Sequence, residues 1–143
     1  MTITATRDIS AAARAFFDAC ETGKGWDVCK GYCHDTATFS CQSEALADVR
    51  TLQDYCGWMQ GMFGPLPDGR YEMMAFATDP ERNCVVGAAV FKGTHTGEGG
   101  PVPATGKSAA ADYVYIMQFD GDKISHMTKV WNDHHSLQAL GWI

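Results

Sequence analysis

Four polar residues stand where apolar stretches end, and each could move a proton or hold an oxygen: His95, Asp112, Asn132 and Asp133. An imidazole titrates near neutrality, so His95 suits a proton carrier or an oxyanion partner. Asp112 lies between Ala111 and Tyr113 on an apolar segment. A carboxyl there, facing a dry cavity, has its pKa raised and becomes a base or a neutral donor. Asp133 could be the base, or it could cap the helix that follows. The Asn132 amide can orient a ligand or stabilise an enolate oxygen. Tyr32, Tyr55, Trp58, Met59, Met62, Tyr113, Tyr115 and Trp131 are candidates for an apolar wall. Most such residues are core, and a few phenols can reach a ligand oxygen. His126 and Lys129 could face inward or outward. The chemistry these residue types fit is acid–base work on a carbonyl or hydroxyl in an apolar pocket.

Other chemistries find no carrier. The chain has no Gly-x-Ser-x-Gly elbow, no Gly-x-Gly-x-x-Gly fingerprint and no phosphate loop. No cofactor and no metal are expected. Cys29, Cys33 and His34 could share one face, but a structural zinc site needs four ligands at recognisable spacing. The six cysteines (Cys20, Cys29, Cys33, Cys41, Cys56 and Cys84) include no Cys-x-x-Cys pair and are expected as buried thiols of a reducing cytoplasm.

The chain has 143 residues, which suits one domain spanning 1–143, and 45% of them are hydrophobic. A net charge of −6 argues against nucleic acid and against anionic membrane surfaces, both of which need clustered Lys and Arg. No apolar run approaches the ~18 residues of a membrane-spanning helix. The N-terminus lacks a basic segment followed by an apolar one, so no signal peptide is expected.

The elements that must position these residues read as α+β. Ile9, Ala13, Phe16, Phe17 and Cys20 form one apolar stripe, which predicts a first helix capped by Thr6 or Asp8 and ended by Gly23 or Gly25. A short helix is predicted over 26–32, and alternation predicts a strand over 36–41. A long helix is predicted over 44–63, with Leu46, Val49, Leu52, Cys56, Met59 and Phe63 on its core face. Tyr55, Trp58 and Met62 widen that face, so this helix must touch both a sheet and something else. Four strands are predicted over 70–78, 84–96, 108–119 and 123–133. Two of them exceed the usual strand length and must bend, and Gly87 or Gly93 could supply the bend. A Gly- and Pro-rich loop fills 97–106, and a last helix is predicted over 134–140. The order places helices on one face of a curved antiparallel sheet.

Residues 93–107 contain Thr94-His95-Thr96-Gly97-Glu98 followed by Pro103-x-x-Gly106-Lys107, and residues 119–142 end in Lys129-Val130-Trp131-Asn132-Asp133 and a Gly141-Trp142 terminus. These stretches resemble the SnoaL-like polyketide cyclase family, within the superfamily of nuclear transport factor 2 and ketosteroid isomerase. The resemblance implies a cystatin-like cone, a strongly bent sheet around the long helix, an apolar cavity and a homodimer packed through the sheet. It also implies a role for His95 and for an acid at the end of the last strand. Counted without a gap, that acid position is held by Asn132, with Asp133 one residue later.

Two function classes stay open at this point. One is a cofactor-independent enzyme, cyclase-like or isomerase-like, that moves protons beside the carbonyl of a small apolar ketone. The other is a non-catalytic module that binds a small hydrophobic ligand or dimerises. Epoxide hydrolysis through an Asp–Arg relay has less support, since Arg7, Arg14, Arg50, Arg70 and Arg82 all lie outside the last two strands.

Overall fold

A computed structural model describes residues 8–143. Helix α1 (Ile9–Glu21) starts at Asp8, whose carboxylate accepts the Ser10 N–H at 3.0 Å. The alternative cap, Thr6, lies outside the described residues. Ala13, Phe16, Phe17 and Cys20 are buried, as the stripe requires. The helix stops at Thr22, and Gly23 follows at φ 73°, a left-handed turn that a β-carbon disfavours. Helix α2 (Trp26–Cys29) runs into one 3₁₀ turn (Lys30–Tyr32).

Strand β1 (Cys33–Cys41) begins three residues before the expected position. The long helix expected over 44–63 is divided. Glu44–Leu46 form a 3₁₀ turn, and helix α3 is Leu52–Met62. The break has a local cause. The Arg50 carbonyl accepts the Phe39 N–H at 2.8 Å, which ties this segment to β1. The Thr51 hydroxyl then caps α3 at the Asp54 N–H.

Strands β2 (Arg70–Asp79), β3 (Cys84–Thr94), β4 (Ser108–Asp120) and β5 (Lys123–Trp131) complete a five-stranded sheet in the order β1-β5-β4-β3-β2. Only β1 and β5 run parallel. The register is irregular at three places: Met74 is an extra residue in β2, Ser125 is one in β5, and β1 shifts against β5 between Cys33 and Thr38. Gly87 has another use, because a β-carbon there would lie 2.9 Å from the Phe17 ring. Its absence lets α1 press onto β3. Helix α4 (Asp133–Ala139) closes the described chain.

The result is a mixed α+β cone. α1 and α3 lie on the concave face of the sheet, and the core fills the space between. Along β4 the odd-numbered residues Tyr113, Tyr115, Met117 and Phe119 are buried, while Asp112 and Gln118 are exposed. Among the described residues, no helix is long and apolar enough to cross a membrane.

Candidate active site

A cavity opens on the concave side between α3, α4 and strands β3 to β5. Trp58, Met59, Met62, Tyr113 and Trp131 form much of its wall, and Leu140 and Trp142 from the chain end close one side. Its volume is about 70 Å³. A single water needs roughly 10–15 Å³, so there is room for a small organic molecule. Two charged side chains stand on this apolar wall: Glu21 and Lys129.

Both reach the interior by simple periodicity. Glu21 ends α1 one turn beyond Phe17, so it continues the apolar stripe and is 1% exposed. Lys129 alternates with Met127 and Trp131 on the inner face of β5 and is 6% exposed. Two tyrosines connect them. Lys129 Nζ donates to Tyr55 Oη at 2.9 Å, Tyr55 and Tyr115 share a hydroxyl–hydroxyl hydrogen bond, and Tyr115 Oη donates to Glu21 Oε2 at 2.5 Å. Each phenol owns one proton. Since Tyr115 gives its proton to Glu21, it must accept from Tyr55, and Tyr55 must accept from Lys129. The chain therefore has one direction, from ammonium to carboxylate. Three concerted proton shifts reverse it, leaving a neutral amine and a neutral acid.

Burial brings those two states together in energy. Loss of solvent raises the Glu21 pKa, opposed by the Lys129 charge and the tyrosine hydrogen bonds. Loss of solvent lowers the Lys129 pKa to about 8, opposed by Glu21. Five rings surround Nζ, with centroids from 4.3 Å (Trp131) to 5.9 Å (Tyr115). Ring faces favour the ammonium by about 0.5–2 kcal/mol each, against a desolvation cost of several kcal/mol. Burial and the nearby carboxyl push the tyrosine pKa values upward, so all three phenols stay protonated. Tyr113 Oη is buried beside Glu21, whose charge and hydrogen-bonding proximity raise its pKa, while the two groups do not meet in full hydrogen-bond geometry.

The four residues expected to carry catalysis lie off this wall. His95 is fully buried just past β3, under the Gly- and Pro-rich loop. Its Nδ1 accepts from Trp142 Nε1 at 2.8 Å and from the Thr105 N–H at 3.3 Å, which assigns the ring proton to Nε2. A β-carbon on Gly100 would lie 2.9 Å from that Nε2, so only a glycine there lets the loop cover the ring. His95 thus holds Trp142, and Trp142 faces the cavity. Asp133 is the first residue of α4, where its Oδ2 accepts the Ala45 N–H at 3.0 Å. The capping role belongs to Asn132, whose Oδ1 accepts the His135 N–H at 3.2 Å. Asp112 is on the outer face, opposite Val90, and meets Asn132 and His135 at a separate hollow.

The expected wall residues divide into three groups. Trp58, Met59, Met62, Tyr113 and Trp131 line the cavity. Tyr55 and Tyr115 lie behind it in the hydrogen-bond chain. Tyr32 is half-buried at the edge of the core. His126 faces outward and bonds Thr38, Ser40 and Thr128 hydroxyls. Sequence reasoning passes over Glu21, although its place four residues after Phe17 on an apolar stripe is a usable signal. Among the described residues, no group of three or more His, Cys, Asp or Glu is placed to hold a metal ion.

Comparison with known proteins adds a family. The family model described as SnoaL-like polyketide cyclase matches residues 11–140. Among solved structures, AclR from Streptomyces galilaeus, a candidate hydroxylase, superposes with a TM-score of 0.75 at 18% identity, over 94% of this chain and 82% of that one. IdmH from Streptomyces antibioticus, a candidate polyketide cyclase, superposes with a TM-score of 0.72 at 18% identity, over 94% and 99%. A SnoaL-like protein from Jannaschia sp. CCS1 superposes with a TM-score of 0.75 at 14% identity, over 98% and 96%. At these identities the likeness establishes the fold. A search of curated proteins finds no match.

Proposed function

The chain belongs to the SnoaL-like polyketide cyclase family, and from that premise we propose that it is an enzyme that moves a proton at the carbon beside the carbonyl of a small apolar ketone. The observation that carries this reading is the Glu21 carboxyl, buried on an apolar cavity wall and hydrogen-bonded to Tyr115. Glu21 takes the α-proton, and its raised pKa strengthens it as a base. The Tyr113 hydroxyl, which lines the cavity and makes no hydrogen bond of full geometry, donates to the enolate oxygen, and the Lys129 charge stabilises it across the cavity. The enolate then closes a ring or is reprotonated elsewhere, so cyclisation and isomerisation share this first step. This reading assigns the proton transfer to Glu21 rather than to His95, Asn132, Asp112 or Asp133, which do not line the cavity.

The test is α-hydrogen exchange of butan-2-one and cyclohexanone in heavy water, followed by NMR. Wild-type protein should accelerate exchange, and Glu21→Gln should lose a factor on the order of 10²–10⁴. Exchange that is equally fast in Glu21→Gln, or absent with both ketones, refutes the assignment. Ligand binding without exchange would favour the non-catalytic reading.

We also infer a homodimer in the cytoplasm. Val86 and Ala88 pair with Ile116 and Val114, and Val114 pairs with Val130, so an apolar patch crosses three strands on the outer face. Six free thiols fit a reducing compartment.

A further inference from the structure

We propose that Lys129 is a covalent site for carbonyl compounds, an amine that condenses with an aldehyde or ketone in the cavity to form an imine. The inference deepens the reading above, since it rests on the same cavity and on a carbonyl ligand, but it assigns Lys129 a bond rather than only a charge.

Placement is the first support. Among the described residues, Lys129 is the one amine on the wall, and its Nζ lies among the rings of Trp131, Trp58 and Tyr113, which line the same space. Among the described residues, Nζ makes one hydrogen bond, to Tyr55, and otherwise meets ring faces, with no carboxylate in contact. A lysine held for structure alone at this depth would be paired directly with an acid. Here the acid is held two phenols away. A ketone carbon can therefore approach Nζ without first displacing a salt-bridge partner.

The hydrogen-bond chain supplies the protons that the condensation needs. The ammonium of Lys129 passes one proton through Tyr55 and Tyr115 to Glu21, leaving a neutral amine and a protonated acid. The amine lone pair forms the C–N bond, and the carbonyl π pair moves to oxygen. A proton then passes from nitrogen to that oxygen, giving a neutral carbinolamine. The proton stored on Glu21 returns through the chain, the hydroxyl leaves as water, and the nitrogen lone pair forms C=N. Overall, ammonium plus carbonyl gives protonated imine plus water, with no outside reagent. The protonated imine is a stronger electron sink than the ketone, so Glu21, ionised again, can take the α-proton and leave an enamine. The apolar wall limits water and so slows hydrolysis of the imine.

The experiment is reductive trapping on the wild-type protein, with butan-2-one and sodium cyanoborohydride near pH 8, read by intact mass and peptide mapping. With its pKa about 8, Lys129 carries a roughly hundredfold larger neutral fraction than an ordinary lysine there. One butyl adduct mapping to Lys129, far ahead of the exposed Lys107, is the expected result. Labelling of Lys129 no greater than that of Lys107, or absent, overturns the proposal. Lys129→Arg, which keeps a cation but no nucleophile, should lose the adduct. Because the adduct is mapped on wild type, its position decides the matter even if that variant folds poorly. The exchange assay separates the two readings. Exchange without trapping leaves the acid–base role of Glu21 standing and removes the imine. Trapping without exchange does the reverse, and the absence of both removes both.

Discussion

Glu21 and Lys129 are an acid and a base separated by 108 positions in sequence, yet two tyrosine hydroxyls join them into one chain of hydrogen bonds on the cavity wall. Neither touches the other. Each keeps the other's charge tolerable in a space from which water is largely removed, and the phenols give their protons a route.

Removing one member of the pair leaves a buried charge uncompensated. Glu21→Gln and Lys129→Met should each cost about 3–5 kcal/mol, and the double variant clearly less than the sum. Urea denaturation of the four proteins measures the cycle, and additive losses would show that the two groups are uncoupled. The pH dependence has a definite sign. Lys129 titrates near 8 when folded against 10.5 when exposed. Between those values the unfolded chain holds more protons, so this group's contribution to stability rises with pH. Glu21 has the opposite effect: its pKa is raised from 4.5, so its contribution falls as pH rises above that value. The gain between pH 8 and 10.5 should vanish in Lys129→Met, as read from thermal melts of both proteins.

Tyr55→Phe deletes the acceptor of the Lys129 ammonium. That hydrogen bond favours the charged amine, so its loss should lower the Lys129 pKa further. The limb of the exchange pH profile that depends on the charged lysine should move to lower pH. An unmoved limb would assign it to another group. The fold should survive, because the Phe ring still stacks on Phe39, where the centroids are 4.3 Å apart.

Trp142→Phe removes the Nε1–H that His95 Nδ1 accepts. A buried ring nitrogen then keeps only the longer Thr105 N–H, which should cost about 1–2 kcal/mol of stability. Since Trp142 is part of the cavity wall, calorimetry should also find weaker ketone binding. His95→Ala should weaken binding in the same direction without abolishing exchange. A complete loss of exchange with binding intact would instead give His95 a chemical role.

The inferred dimer makes a further prediction. Val130 is 57% exposed and sits in the apolar patch on the outer face of the sheet. A lysine there, Val130→Lys, should bring two like charges together across a two-fold axis and shift the protein to monomer in sedimentation velocity. An unchanged sedimentation profile would place the interface elsewhere or show that none forms.

Much of this is legible before folding. The stripe from Ile9 to Cys20 and the strand over 108–119 depend on neighbours two to four residues away, and such local rules place helices and strands well. The break in the helix expected over 44–63 is not legible, because its cause is the bond between Phe39 and Arg50, which only folding creates. The aromatic wall is readable as apolar residues on α3 and β4. Its separation into a lining layer and a hydrogen-bonded layer behind it is not.

An α+β element order and the family resemblance can both be read along the chain, and so can a set of residue types suited to proton transfer. Which polar groups share a cavity depends on how the chain folds. Asp133 and His95 are candidates in a one-dimensional reading; folding sets Asp133 against the Ala45 N–H and the His95 Nδ1 against Trp142, off the wall where Glu21 and Lys129 stand. Glu21 looks like an ordinary helix end, and Lys129 like a strand residue that could face either way. Both become functional candidates because α1 lies on the concave face of a curved sheet, and curvature brings the end of a first helix onto the inner face of a last strand. No local rule contains that distance. It arises only when helix and sheet pack together and bury both side chains.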